Sequence, residues 1–182
     1  VTWFSLGAGT SITPESYDCT TLYVGAMGNG SFILGEDGRA VPFAGDDFLA
    51  VPPKALCGTS TDIGMIYTEI ILKKENTILN NIIKAGQPTA LKDLISYEEG
   101  SIANVDLVHA DNMKFVLMAF DEGTSLTPHR APGNAILTAL EGKAIIDYEG
   151  QDYELNAGES FRFDKNGLHS VTPQGKFKMS LL

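Results

Sequence analysis

The stretch GTSLTPHRAPGNAILTALEG, Gly123 to Gly142, sets His129 in a turn ahead of an alternating apolar run, and His169 lies further on in GLHSVTP, after Phe161 and Phe163. Near neutral pH an imidazole can hydrogen-bond a polar or anionic small molecule, or ligate a divalent ion, so this pair is the first place to look for chemistry. The third histidine, His109 in VHADN, reads as a surface turn residue and is given no role. A second stretch, GTSITPESYDCTTLYVGAMG from Gly9 to Gly28, has the same length and opening without a histidine. It carries Glu15, Tyr17, Asp18 and Cys19, and a carboxylate beside a phenol can move protons.

What positions these residues is a repeated pattern. GTSITP (9 to 14) and GTSLTP (123 to 128) differ at one position, and the offset of 114 between them also pairs Leu22 with Ile136 and Gly28 with Gly142. After a one-residue slip, AGDDF (44 to 48) matches AGESF (157 to 161), and the copies end in YTEIIL (67 to 72) and FKMSLL (177 to 182). Two homologous units follow, since a fixed spacing of similar segments marks repeated structure.

Within the second copy, KFVLMAF, AILTAL, KAIIDYEG, QDYELNAG, ESFRFD, LHSVTP and KFKMSLL are apolar or alternating runs broken by turn residues. Seven short strands roughly ten residues apart indicate an all-β sandwich or barrel. EGQD (149 to 152) reads as a tight hairpin turn, with GEDGR (35 to 39) in the same place in the first copy. Helical character is confined to the region between the copies, where LKDLISY (91 to 97) suits a turn or two of helix. The expected division is an N-terminal unit over 1–74, a linker over 75–90 and a C-terminal unit over 91–182. Val1 falls opposite Phe115 in the repeat, so Leu91 to Lys114 has no counterpart, and the native chain is expected to begin earlier with a lead-in like LKDLISYEEGSI.

At 182 residues with 43% hydrophobic and 20% charged residues, the chain can bury one large core or two small ones. A net charge of -10 opposes binding to phosphate backbones and anionic lipid, so neither nucleic acid nor membrane is an expected partner. No run of about 18 apolar residues or leader pattern is present, and a cytoplasmic location is the expectation. Cys19 and Cys57, in no CxxC pair, read as free thiols.

The spaced residues resemble the cupin superfamily, small antiparallel jelly-roll barrels with two motifs. The first motif maps on Gly123, His129, Ala131, Ala135 and Gly142, and the second on Gly158, Asp164, Asn166, His169 and Pro173. In the first copy the same positions are Gly9, Glu15, Tyr17, Thr21 and Gly28, then Gly45, Val51, Pro53, Leu56 and Ser60. The resemblance implies two tandem cupin-type jelly-roll β-barrels, a bicupin in which metal-binding motifs have degenerated. Metal-binding cupins use three histidines and a glutamate; here only His129 and His169 remain, with Ala131 and Ala135 at the other two positions.

Three functions stay open. The first is small-molecule binding in the C-terminal barrel, with His129 and His169 at the base of a largely apolar cavity lined by Ala131, Ala135, Phe161 and Phe163. The second is a metal-dependent enzyme of isomerase or oxygenase type, holding Zn, Fe, Mn or Ni weakly through His129 and His169 with water or substrate completing the shell. The third is a non-catalytic assembly module. Arg130 and Asn134 read as solvated loop residues, and the N-terminal barrel reads as architectural. A small-molecule ligand is the expected partner, with a homodimer as the assembly to test.

Overall fold

The structure is a computed structural model that describes residues 1–72, 77–111, 113–131 and 133–182. The expected boundary at residue 74 lies outside the described residues. Among those residues the fold is all-β, and the one helical element is a single 3-10 turn at Leu91–Leu94. It falls where LKDLISY suggested a short helix. The chain separates into two compact units, Val1–Ala90 and Leu91–Leu182.

In the C-terminal unit one sheet runs in the order Ser160–Phe163, Ala135–Glu141, Phe177–Leu181, Met113–Phe120, Ile102–Ala110. A second runs Leu126–Arg130, Leu168–Pro173, Lys143–Tyr148, Gln151–Asn156. Leu137, Phe163, Phe177 and Met179 from the first sheet and Ala144, Ile146, Leu155 and Val171 from the second share one buried cluster, so the sheets face each other across it. Burying such side chains is worth about 1.5–3 kcal/mol each, which makes this core the main source of the unit's stability. All the strands expected from alternation form, and two more join them. Ile102–Ala110 includes His109, exposed on a strand rather than in a turn, and Leu126–Arg130 includes His129, also expected in a turn. The hairpin at Glu149 and Gly150 is as read: Tyr148 pairs with Gln151, and both turn residues have positive φ.

The N-terminal unit pairs Thr2–Leu6, Met65–Ile71, Thr21–Leu34, Asp47–Val51 and Thr89–Ala90 in that order. The long strand Thr21–Leu34 also pairs, through its second half, with Arg39–Ala44 and Cys57–Thr61, and the latter with Thr10–Glu15. In neither unit does a ring of strand pairing close among the described residues. Residues 77–90, expected as linker, are counted within this compact unit: Gly86 N–H donates to Ala50 O and Thr89 pairs with Phe48.

The two units use matching registers. Leu126 stands opposite Val171 and His129 opposite His169, while Ile12 stands opposite Thr59 and Glu15 opposite Cys57. The offset is 114 on the first strand of each pair (129 against 15) and 112 on the second (169 against 57). Each unit also has a bulge in the same place, between Gly25 and Met27 and between Ala139 and Glu141. The expected equivalence of Leu56 with His169 is therefore replaced by Cys57. Matching AGDDF to AGESF by composition slipped the frame by one residue, and a one-residue slip in a strand exchanges its two faces. Just past each bulge stands a glycine at positive φ, Gly28 or Gly142, where a Cβ would collide with the carbonyl of Gly64 or Lys176.

Candidate functional site

His129 and His169 are direct cross-strand neighbours, and their ring centroids lie 4.3 Å apart at 56°. Leu126–Arg130 is exposed at four of its five residues, so His129 reaches solvent, whereas His169 is only 5% exposed. Each ring is tied to its own strand in the same way: Nδ1 of His129 lies 2.8 Å from Thr127 O, and Nδ1 of His169 lies 3.0 Å from Gly167 O. A carbonyl can only accept, so Nδ1 carries the hydrogen in both neutral rings and the Nε2 lone pairs are left for a ligand. Burial holds the His169 pKa below the usual value, with the neighbouring His129 adding to the effect against the Gly167 carbonyl. His169 is thus held neutral, the form that accepts hydrogen bonds and coordinates ions.

The aromatic residues named from the sequence support this pair. Phe163, 1% exposed, stacks on His169 at 4.1 Å and 21°, and Phe161 packs on Phe163 at 5.2 Å. Both contact Tyr148, which stands directly across from His169, so they share one side of their strand as alternation required. Ala135 pairs with Phe163 and packs on the core, and Ala131 uses its carbonyl to accept from Asn166 N–H. Phe161, Phe163 and Ala135 are thus packing partners in the hydrophobic core as much as walls around the histidines.

Arg130 and Asn134 are not merely solvated. The Arg130 guanidinium donates to Asn166 O and to Glu149 Oε1, Glu149 Oε1 also accepts from Leu168 N–H, and Asn134 Oδ1 accepts from Lys165 N–H at 2.8 Å. These bonds clamp the loop that leads into His169, whose residue Asn166 holds φ at 64°.

The donor set does not fit a resident divalent ion. Two imidazoles supply half of a four-coordinate shell and no negative charge, Ala131 and Ala135 add no donor, and no group of three His, Cys, Asp or Glu converges among the described residues.

The N-terminal unit, expected to be architectural, has a cavity of about 190 Å³ lined by Glu15, Tyr17, Tyr23, Cys57, Tyr67 and Glu69, among others. Glu69 is 6% exposed and stands across from Tyr23, whose hydroxyl donates to its Oε2 at 3.3 Å. Burial raises the Tyr17 and Tyr23 phenols; Glu69 raises Tyr17 further, and Cys57 and then Glu69 raise Tyr23 further. Burial also pushes the Cys57 thiol up to about 11 and the Tyr67 phenol up to about 12. Asp18 and Cys19, grouped with Glu15 and Tyr17 in the sequence, are not part of this lining. Glu69 was missed by sequence reasoning; its signal was a lone charge inside the apolar run MIYTEIIL.

Residues 116–182 match the family model described as Cupin domain. Over 98% of the chain and 80% of the other, the structure resembles a Cupin 2 conserved barrel domain protein from Leptotrichia buccalis, with 27% identity and a TM-score of 0.82. A cupin superfamily protein from Desulfitobacterium hafniense matches 57% of the chain and 94% of its own length at 24% identity and a TM-score of 0.54. Salicylate 1,2-dioxygenase from Pseudoaminobacter salicylatoxidans shares the fold at 12% identity, over 98% of this chain and 68% of that one, with a TM-score of 0.68. No curated protein matches. No helix among the described residues is long and apolar enough to cross a membrane. The segment that carries the stacked histidines is the one that matches the Cupin domain family model.

Proposed function

We propose that the chain is a tandem pair of cupin-type jelly-roll units whose C-terminal member binds a polar small molecule at the Nε2 edges of His129 and His169. The tandem reading is supported by the matching registers and bulges of the two units. The binding reading rests on one observation: both Nδ1 atoms are committed to backbone carbonyls, so two Nε2 lone pairs remain free on adjacent rings. A ligand hydroxyl or amide N–H can donate to them, and His129, the more exposed ring, is the one a solvent-borne ligand meets first. Burial keeps His169 neutral, Phe163 covers one of its faces, and the Arg130 clamp holds its approach loop.

The same free Nε2 atoms favour a second reading, weak capture of a divalent ion whose shell is completed by water or ligand. Metal content and melting temperature of the parent, His129→Ala and His169→Ala separate the two. A ligand site free of metal predicts no bound metal in any sample and an organic molecule carried by the parent alone, seen by native mass spectrometry. Metal in the parent that is lost from both variants supports the ion. Metal or organic ligand retained equally in all three samples removes the site.

A further inference from the structure

We propose that the cavity of the N-terminal unit binds a small organic ammonium ion, with Glu69 as its counter-charge and the rings of Tyr17, Tyr23 and Tyr67 as its walls. The cavity is a second site, in a different unit from the histidine pair and of opposite chemistry. Among the described residues that line it none is basic, while Glu69 lies buried inside it and Glu15 stands exposed at its edge. Burying a carboxylate without a cation is costly, and phenol donors offset only part of that cost. A cation entering the cavity supplies the missing charge.

The walls suit such a guest. Tyr67 stacks on Phe4 at 5.1 Å and meets Tyr23 edge-on at 5.8 Å, so the rings are held by one another rather than free to collapse. Aromatic faces attract ammonium groups through their quadrupoles, by roughly 0.5–2 kcal/mol each. Two carboxylates and no basic side chain line the cavity among the described residues, so an anionic ligand meets like charge there. An inorganic divalent ion is also a poor guest, because Glu15, Cys57 and Glu69 do not converge into a chelating set.

The test titrates the whole chain with choline chloride, with the uncharged carbon analogue of choline, and with sodium chloride as an ionic-strength control, by calorimetry and thermal shift. Saturable binding of choline and none of the carbon analogue is expected. Glu69→Gln keeps the side-chain shape and should weaken choline on the order of tenfold or more, the scale of a hydrogen bond or contact to a charged group. Glu15→Gln, at the exposed edge, should weaken it by a smaller factor. Should Glu69→Gln fail to fold, the choline-to-analogue ratio and Glu15→Gln decide the matter. Equal binding of choline and its carbon analogue, unchanged choline affinity in folded Glu69→Gln, or no saturable choline binding at millimolar concentration overturns the proposal.

Discussion

His129 and His169 stand directly opposite each other on adjacent antiparallel strands, and each directs its Nδ1 to the carbonyl two residues before it. Each ring therefore keeps its Nε2 as an acceptor, and the two rings are neighbours. Two neutral acceptors side by side are mildly repulsive on their own and are relieved by a donor or cation placed between them.

Protonation should weaken both the fold and the site. The folded pKa of His169 is depressed from 6.5, first by burial, so its stabilising contribution is complete above about 6.5 and is lost as pH falls through the lowered folded value. The melting temperature of the parent should fall over this acidic range, and that of His169→Gln should fall less. Thermal scans between about pH 7.5 and pH 5 check this against the ordinary histidine range; parallel slopes would contradict it.

Phe163 links the core to the site. Replacing it by Ala removes a 1% exposed ring that stacks on His169, and a cost of roughly 3–5 kcal/mol is expected in chemical denaturation. Phe163→Leu should cost less but still free the His169 ring, seen as a shift of its titration midpoint toward the ordinary value.

Gly142 holds φ at 75° where a Cβ would strike the Lys176 carbonyl. Gly142→Ala should destabilise by more than about 1 kcal/mol, and Gly150→Ala, at a positive φ in open space, by less. Denaturation midpoints of the two variants give the comparison.

The cysteines should differ in reactivity. With its thiol pushed up to about 11, Cys57 should resist iodoacetamide in the folded protein, while half-buried Cys19 is labelled. Mass spectrometry of peptides before and after unfolding distinguishes them; equal labelling of both in the fold would show Cys57 to be open.

Strands that bury one face announce themselves by alternation, and the seven read in the C-terminal unit all form, while Ile102–Ala110, with Ala103, Leu107 and Val108 buried, was not read. Leu126–Arg130 was not read either, because four of its five residues are exposed and Pro128 interrupts it, so its place is set by pairing with Leu168–Pro173 rather than by its own pattern. The histidine pair was legible through the resemblance to the two spaced cupin motifs. Cys57 and Glu69 were hidden for a different reason: a one-residue frame error put Leu56 in the place of Cys57, and only cross-strand register shows Glu69 facing Tyr23. Side chains that meet through register between distant strands leave no local trace in the chain.

The central claim concerns which nitrogen of each ring carries the hydrogen, and imidazole nitrogen NMR of the labelled protein at neutral pH reads it directly. Both His129 and His169 should be Nδ1–H tautomers with unprotonated Nε2, exposed His109 serving as the reference, and both Nε2 resonances should move together when zinc or a bound ligand is added. An Nε2–H tautomer at either ring, or Nε2 resonances that ignore every addition, would contradict the account.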